Sequence, residues 1–564
     1  MERNLQSIDE KLFASRLSRR RFLAGTGAIA GGTMLSGLLA ACGGEDEDDP
    51  DAESTSGSGS GAAGETPEST TGTSSPAAGS GEPQQGGTLT IGNNVDASQL
   101  DPHLTSSAQE ILMFYGLYNR LTRIDENLEV VPELSTGWTV ADDGNSIVFE
   151  LVEGVQFHDG TPCDAEAVKW NFDRIIDPEA GSVIKGRVSS VESVDVVSPT
   201  EVQFNLAQPD AVLLTNVAYG SMAMISPTAF EEMGEDFASN PVGTGPFAFG
   251  EWTRDDHVTL TRNENYWEEG LPYLDEVIFR PIPDATVRMT NLRTGDIDVN
   301  FVVDPKDIET VEGDDTLVLW NNANPGHMGI RLNIEAEPFT DVKVRQAVAW
   351  AVDREAVNQI LFFGAYTPAY GPFDPETWAH DPDFKPYAPR DLDMAKSLLE
   401  EAGHPDGIEF TLTLASNPQT AQLAELLQAQ LAEANITATP EAVERGVFLD
   451  GIVSREWTAY IDGVAGREDP NNYFAEHFVC DMQYNGQNYC NEEMDALLVE
   501  AASIYDQDER RPLYRQVEEM ISEDCPMVFV YHSANTRAWN KRVEGLVLNP
   551  IGRMFYVGAY VTGE

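Results

Sequence analysis

The side chains able to do chemistry in this chain are numerous, but they do not fall into a reactive arrangement. Phe157-His158-Asp159-Gly160 sets a histidine beside a carboxylate, the pairing that general acid–base work needs. Asp-Gly is first a turn signal, however, so His158 reads as a turn residue. The 94 Asp and Glu residues are too many for one pair suited to glycoside chemistry to stand out. There is no GxSxG elbow, no P-loop, no HExxH and no GxGxxG opening a helix after a strand. The eight histidines are dispersed, and His477 with Cys480 offers two potential ligands, short of a zinc site. The chain is therefore read as a non-enzyme with no metal and no cofactor.

Cysteine spacing points to covalent bracing. Cys480 and Cys490 are close enough to close a small loop and form a candidate disulfide. Cys163 and Cys525 lie far apart in apolar surroundings and read as buried thiols. Cys42 has a different setting. It ends the stretch Ser18 to Cys42, in which Arg19, Arg20 and Arg21 precede a weakly apolar run from Phe22 to Ala41. A basic n-region, an apolar h-region and a small-residue end make an export signal. Arg19 and Arg20 followed by Phe22 and Leu23 resemble the twin-arginine type. Leu39-Ala40-Ala41-Cys42 looks like a lipobox, which implies lipidation of Cys42 and cleavage just before it. A transmembrane helix is the competing reading, and five glycines between Gly25 and Gly37 make it a poor one. Either reading places the rest of the chain outside the cytoplasmic membrane, in a compartment that permits disulfides.

A formal net charge of −59 argues against nucleic acid or an anionic membrane surface as partner, since both would be repelled. It suits solubility in a salty external medium. Residues 43–86 open with EDEDDPDAE and continue as Ser, Gly, Thr, Ala and Pro, a composition expected to stay disordered and act as a tether.

The body beyond it alternates strands and helices, which predicts a mixed α/β fold. Period-two patterns place strands at Thr88 to Ile91, Thr136 to Val140, Ser146 to Leu151, Val202 to Leu206 and Gly407 to Ala415. Helical spacing predicts helices over Ser107 to Arg120, Ala165 to Ile176 (with Asp164 as N-cap), Asp341 to Phe363, Asp391 to Ala402 and Thr420 to Ala434. A further helical region runs from Leu497 to Ser522, with a break expected near Pro512.

Many short blocks in this body are held in a recognisable order. They include Leu100-Asp101-Pro102, Pro132-Glu133-Leu134-Ser-Thr-Gly-Trp138 and Ile147 to Arg174 (IVFELVEGVQFHDGTPCDAEAVKWNFDR). Pro241-Val-Gly-Thr-Gly-Pro-Phe247, Leu260-Thr-Arg-Asn263, Gly295-Asp-Ile-Asp298, Pro338-Phe339-Thr-Asp341 and Val352-Asp353-Arg354 follow. On these blocks the chain resembles the family 5 extracellular solute-binding proteins of ABC importers. The resemblance covers nearly everything from Gly87 onward.

It implies a two-lobed periplasmic-binding-protein-like α/β fold, with an extra inserted domain and a hinged cleft closing on its ligand. The expected division is 1–41 signal peptide, 42–86 lipidated Cys42 and tether, 87–124 with 242–325 and 529–564 as lobe I, 125–241 as the inserted domain, and 326–528 as lobe II. The implied activity is capture of a small molecule, peptides foremost, for delivery to ABC permease subunits by a lipid-anchored monomer on the outer side of the cell membrane. Oligosaccharide, opine-like or chelated-metal ligands, a surface chemosensor and a secreted hydrolase are the other readings.

By position in the family pattern, Thr105, Ser106 and Ser107 offer hydroxyls to the cleft and Trp378 an aromatic wall. The stretch Gly463 to Phe474 matches the segment that lies against the ligand. Peptide-binding members carry there a tryptophan and then an aspartate that pairs with a free α-amino group. Aligned on Asp469-Pro470, those positions fall at Gly463 and Gly466. Arg467, Glu468 or Asp469 is then expected to supply charge and Tyr473 a stacking face.

Overall fold

The computed structural model describes residues 83–324 and 326–563. Arg19, Arg20, Cys42 and residues 43–82 of the tether lie outside the described residues; its expected last residues belong to the body instead, since Gln85 bonds to Arg262 and to the Gly270 carbonyl and the Gly86 amide donates to the Tyr273 carbonyl.

Three sheets carry the architecture. The seven-stranded sheet runs, edge to edge, Leu317–Ala323, Ala534–Asn540, Val299–Asn300, Thr88–Asn93, Glu276–Pro281, His257–Arg262 and Phe247–Thr253. Its middle strand Thr88–Asn93 is buried along Leu89 and Ile91 and pairs in parallel with both neighbours. The six-stranded sheet runs Thr367–Pro368, Met527–His532, His327–Leu332, Ala459–Val464, Ile408–Ala415 and Ile436–Val443. Ile408–Ala415 is parallel to both of its neighbours, and the helix Pro418–Ala432 makes one of the crossovers. The four-stranded antiparallel sheet comprises Ser135–Val140, Ser146–Leu151, Glu201–Leu206 and Val191–Ser198. The fold is thus mixed α/β in two lobes, one built on each of the two larger sheets.

Local chemistry explains the element ends. Asp164 accepts from the Glu166 and Ala167 amides and starts the helix Ala165–Ile176. That helix buries Val168, Phe172 and Ile175 against the four-stranded sheet, with Phe172 edge-on to Phe204 at 4.7 Å. A side chain of that size contributes about 2 kcal/mol through burial. One long helix was expected over Asp341 to Phe363; there are two, Val342–Ala351 and Arg354–Phe362. Asp353 turns extended and caps the second, accepting from the Ala356 amide, so a capping carboxylate overrides the apolar periodicity. Likewise the break expected near Pro512 falls earlier, between Glu492–Ser503 and Gln507–Asp524. Asp506 caps the second helix, and Pro512 is carried inside its early turns.

Two chain crossings join the lobes side by side. Leu317–Ala323 leads into His327–Leu332, and Met527–His532 leads back into Ala534–Asn540. The crossings are stitched by the Asn324 amide to the Ser533 carbonyl at 2.6 Å and by His532 Nδ1 to the Gly326 carbonyl at 2.9 Å. Short paired crossings between rigid sheets are what a hinge requires. Cys480 and Cys490 are joined as a disulfide, while Cys163 and Cys525 are buried thiols whose pKa burial pushes up to about 12. Among the described residues no helix is long and apolar enough to cross a membrane.

Candidate ligand cleft

The cleft between the lobes holds two adjoining cavities, of about 200 and 540 Å³. The smaller is walled by Ser106 just before the helix Ala108–Leu117 and Tyr115 in its last turn, by Tyr219, by Phe301, and by Ala465, Gly466 and Arg467 from the opposite lobe. Asn535, Arg537 and Arg553 complete it. Asn535 and Arg537 are two apart on the strand Ala534–Asn540, so both project to one face. The larger cavity shares Ala108, Phe301, Asn535 and Arg537 and extends towards Tyr366 and Gln419.

Arg537 is the most telling group. It is 8% exposed, its guanidinium lies 3.9 Å above the Phe301 ring, and it donates to the Thr536 carbonyl at 3.2 Å. Among the described residues no carboxylate pairs with it, and its Nε is buried without a partner. Burial, and then the neighbouring Arg553 charge, push its pKa down to about 9. Asn535 Nδ2 and Arg553 Nε are also donors without partners on this cavity. Three unmet donors around one space form a site for an acceptor, and the charge on Arg537 makes that acceptor anionic.

The neighbouring charges are partly compensated. Arg553 donates to Glu468 at 2.9 Å, and Arg187 stands 3.9 Å from the other Glu468 oxygen. Burial opposes ionisation of Glu468, but the two guanidiniums prevail and hold its pKa below the ordinary carboxylate value. Arg467 pairs with Glu476 at 3.2 Å. Four guanidiniums therefore meet two carboxylates, leaving an excess of two positive charges at the cleft of a strongly acidic chain.

Ser106, Gly466 and Arg467 come together here as the sequence suggested. Thr105 is buried, and its carbonyl accepts from the Ser221 hydroxyl at 2.8 Å. Ser107 holds the N-cap position without a side-chain capping bond, and its hydroxyl donates to Gln109 Oε1 at 3.1 Å. Three expectations need correction. Asp469 does not offer its charge to the cleft, because Arg510 takes both its oxygens at 2.8 Å inside the lobe. Tyr473 offers no stacking face. It is fully buried against His327 and Phe373, with its hydroxyl behind the Arg467 backbone. Trp378 packs on Tyr514 and lines a separate cavity within its own lobe.

Arg537, Arg553, Tyr115, Tyr219 and Asn535 escaped the sequence reading. Only Arg537 left a signal, as a lone cation in an otherwise uncharged strand, Ala534–Asn540. Gly326 fits the hinge for a physical reason: a Cβ there would collide with the Val464 carbonyl, on the segment that carries Gly466. Among the described residues no group of three or more His, Cys, Asp or Glu side chains is arranged to hold a metal.

Residues 129–485 match the family model "Bacterial extracellular solute-binding proteins, family 5 Middle". The chain is 30% identical over 475 residues to the glutathione-binding protein GsiB of Salmonella paratyphi A, covering 82% of this chain and 92% of that protein. The periplasmic binding protein DppA of Helicobacter pylori, solved with the peptide STSA, superposes with a TM-score of 0.74 at 26% identity, covering 85% and 99% of the two chains. The dipeptide-binding protein of Pseudoalteromonas sp. SM9913, solved with Met-Leu, gives 0.73 at 26% identity over 84% and 100%. With two lobes, a hinge of paired crossings and a cleft between them, the chain belongs to the family 5 bacterial extracellular solute-binding proteins.

Proposed function

We propose that this protein captures a small peptide bearing carboxylate groups and delivers it to the permease of an ABC importer. The observation that carries this reading is Arg537, a buried guanidinium facing the cleft without a carboxylate of its own. A ligand carboxylate there would restore the interaction energy that burial removes. The larger cavity is of a size that encloses small ligands. Glycine at position 466 leaves no side chain to pair with an α-amino group, which favours ligands held chiefly by their acidic ends. The names of the relatives agree, since glutathione and Met-Leu both carry carboxylates.

Closure about the paired crossings would desolvate the ligand and let it touch both Arg537 and the Gly466–Arg467 loop. Binding and release need no covalent step. Export through the Arg19-Arg20 signal and a lipid on Cys42 would hold the receptor at the outer face of the membrane as a monomer.

Titration calorimetry with glutathione, Met-Leu and maltotriose tests this. Saturable binding of either peptide, weakened by amidation of its carboxylates, supports the reading. Binding of maltotriose with neither peptide bound overturns it.

A further inference from the structure

A third cavity, of about 690 Å³, lies wholly within the lobe built on the six-stranded sheet. It shares no wall residue with the two cavities of the interlobe cleft. Tyr370, Phe373, Trp378 and Phe384 give it aromatic walls, and Glu518 of the helix Gln507–Asp524 closes its floor. Glu518 is 2% exposed, and its Oε2 has no hydrogen-bond partner. The nearest cation, Arg515, is engaged by Asp381 and Glu519. Gly371 keeps the space open: a Cβ there would sit 3.2 Å from Glu518 Oε1 and 3.3 Å from the Phe384 ring.

A buried carboxyl without a partner is costly in a lobe that could have placed a leucine there. Joined to aromatic faces, it is the chemistry that recognises a cation carrying N–H donors and hydrocarbon. We propose that this cavity is a second ligand site, in which the Glu518 carboxyl receives a primary ammonium group and the rings of Tyr370, Phe373, Trp378 and Phe384 cover its hydrocarbon. Burial pushes the Glu518 pKa up to about 8, and an ammonium group beside it would bring it down. Arg511 and Lys385 stand exposed at the rim, with Arg511 donating to the Trp378 carbonyl, and neither pairs with Glu518. The site shares no wall residue with the peptide contacts proposed above, and it does not depend on them.

The probes are phenethylamine, a cation at neutral pH, and 2-phenylethanol, its uncharged analogue. Each is titrated into the purified protein in about 0.5 M NaCl, where a Debye length of roughly 4 Å suppresses loose attraction to the acidic surface. One saturable site for the amine is expected, with the alcohol weaker by about tenfold. Glu518→Gln should cost the amine a similar factor and leave the alcohol unchanged. Gly371→Val, which fills the space without a backbone conflict, should abolish both. Arg537→Gln should change neither, which separates this site from the cleft. Equal binding of amine and alcohol, amine binding that survives Glu518→Gln and Gly371→Val, or no binding of either probe would each overturn the proposal.

Discussion

Arg553 stands 2.9 Å from Glu468, joining the C-terminal tail to the loop that follows the strand Ala459–Val464 in the other lobe. Arg187 approaches the same carboxylate from a third direction, so one buried acid ties three distant stretches of chain together. Glu468→Gln keeps the shape and removes the charge, leaving two guanidiniums facing each other. Breaking a buried pair in this way costs about 3 kcal/mol. Thermal denaturation should show a clear fall in Tm, and hydrogen exchange should rise at the Asn216–Asn472 contact, which at 3.0 Å joins the helix Val212–Asn216 to the lobe that carries Glu468. An unchanged Tm would mean that the contact stores no stability.

The same pair sets an acid limit. Glu468 has its pKa held below the ordinary 4.5, so the folded form binds fewer protons there than the unfolded chain. Its contribution is complete above pH 4.5 and is lost as pH falls through the lower folded value. Stability of the wild type should therefore drop below pH 4.5 more steeply than that of Glu468→Gln, as urea midpoints across this range will show.

Arg537 makes the opposite prediction in the ligand-free protein. Its pKa is pushed from the ordinary guanidinium value down to about 9, so at neutral pH the charged group weakens the folded state. Below about 9 the full cost of holding this charge is present in the ligand-free fold. Arg537→Gln should thus raise the Tm of the ligand-free protein at pH 7 while weakening glutathione binding by about thirtyfold or more, the effect of removing one partner of a buried charge contact. A variant that loses stability and keeps affinity would contradict both halves.

Covalent bracing of the lobe can be tested separately. The Cys480–Cys490 bond closes a loop with a sequence separation of 10, worth about 2–3 kcal/mol of unfolded-state entropy. Reduction or Cys480→Ser with Cys490→Ser should lower Tm accordingly. Glutathione affinity should hardly change, because neither cysteine lines the cleft cavities.

What was legible in the sequence was local. The turn at Asp159-Gly160, the cap at Asp164 and the amphipathic spacing of Ala165–Ile176 depend on neighbours a few residues apart, and they read correctly. The break at Asp353 did not, since a cap inside an apolar run competes with periodicity on nearly equal terms. The site was harder because its partners are remote. Arg537 lies on a strand of one large sheet and Gly466 in the loop after a strand of the other, and nothing in either neighbourhood announces the other. Asp469 shows the converse: a carboxylate beside a cleft segment looks available until Arg510, 41 residues on, takes it.

That last pair yields the sharpest contrast. Asp469 and Arg510 are both almost fully buried and doubly hydrogen-bonded, and Arg510 also donates to the Tyr514 hydroxyl. Arg467, two residues before Asp469, lines the cleft, and its guanidinium pairs with the exposed Glu476. Asp469→Asn should therefore lower stability by about 3–5 kcal/mol while protein that remains folded binds glutathione normally. Arg467→Ala should leave Tm nearly unchanged, because a screened pair contributes at most about 1 kcal/mol, and should weaken binding. Calorimetry and thermal melts on the two variants give a crossed pattern if Asp469 supports the segment and Arg467 contacts the ligand. Reversal of that pattern would return Asp469 to the role its position in the segment suggests.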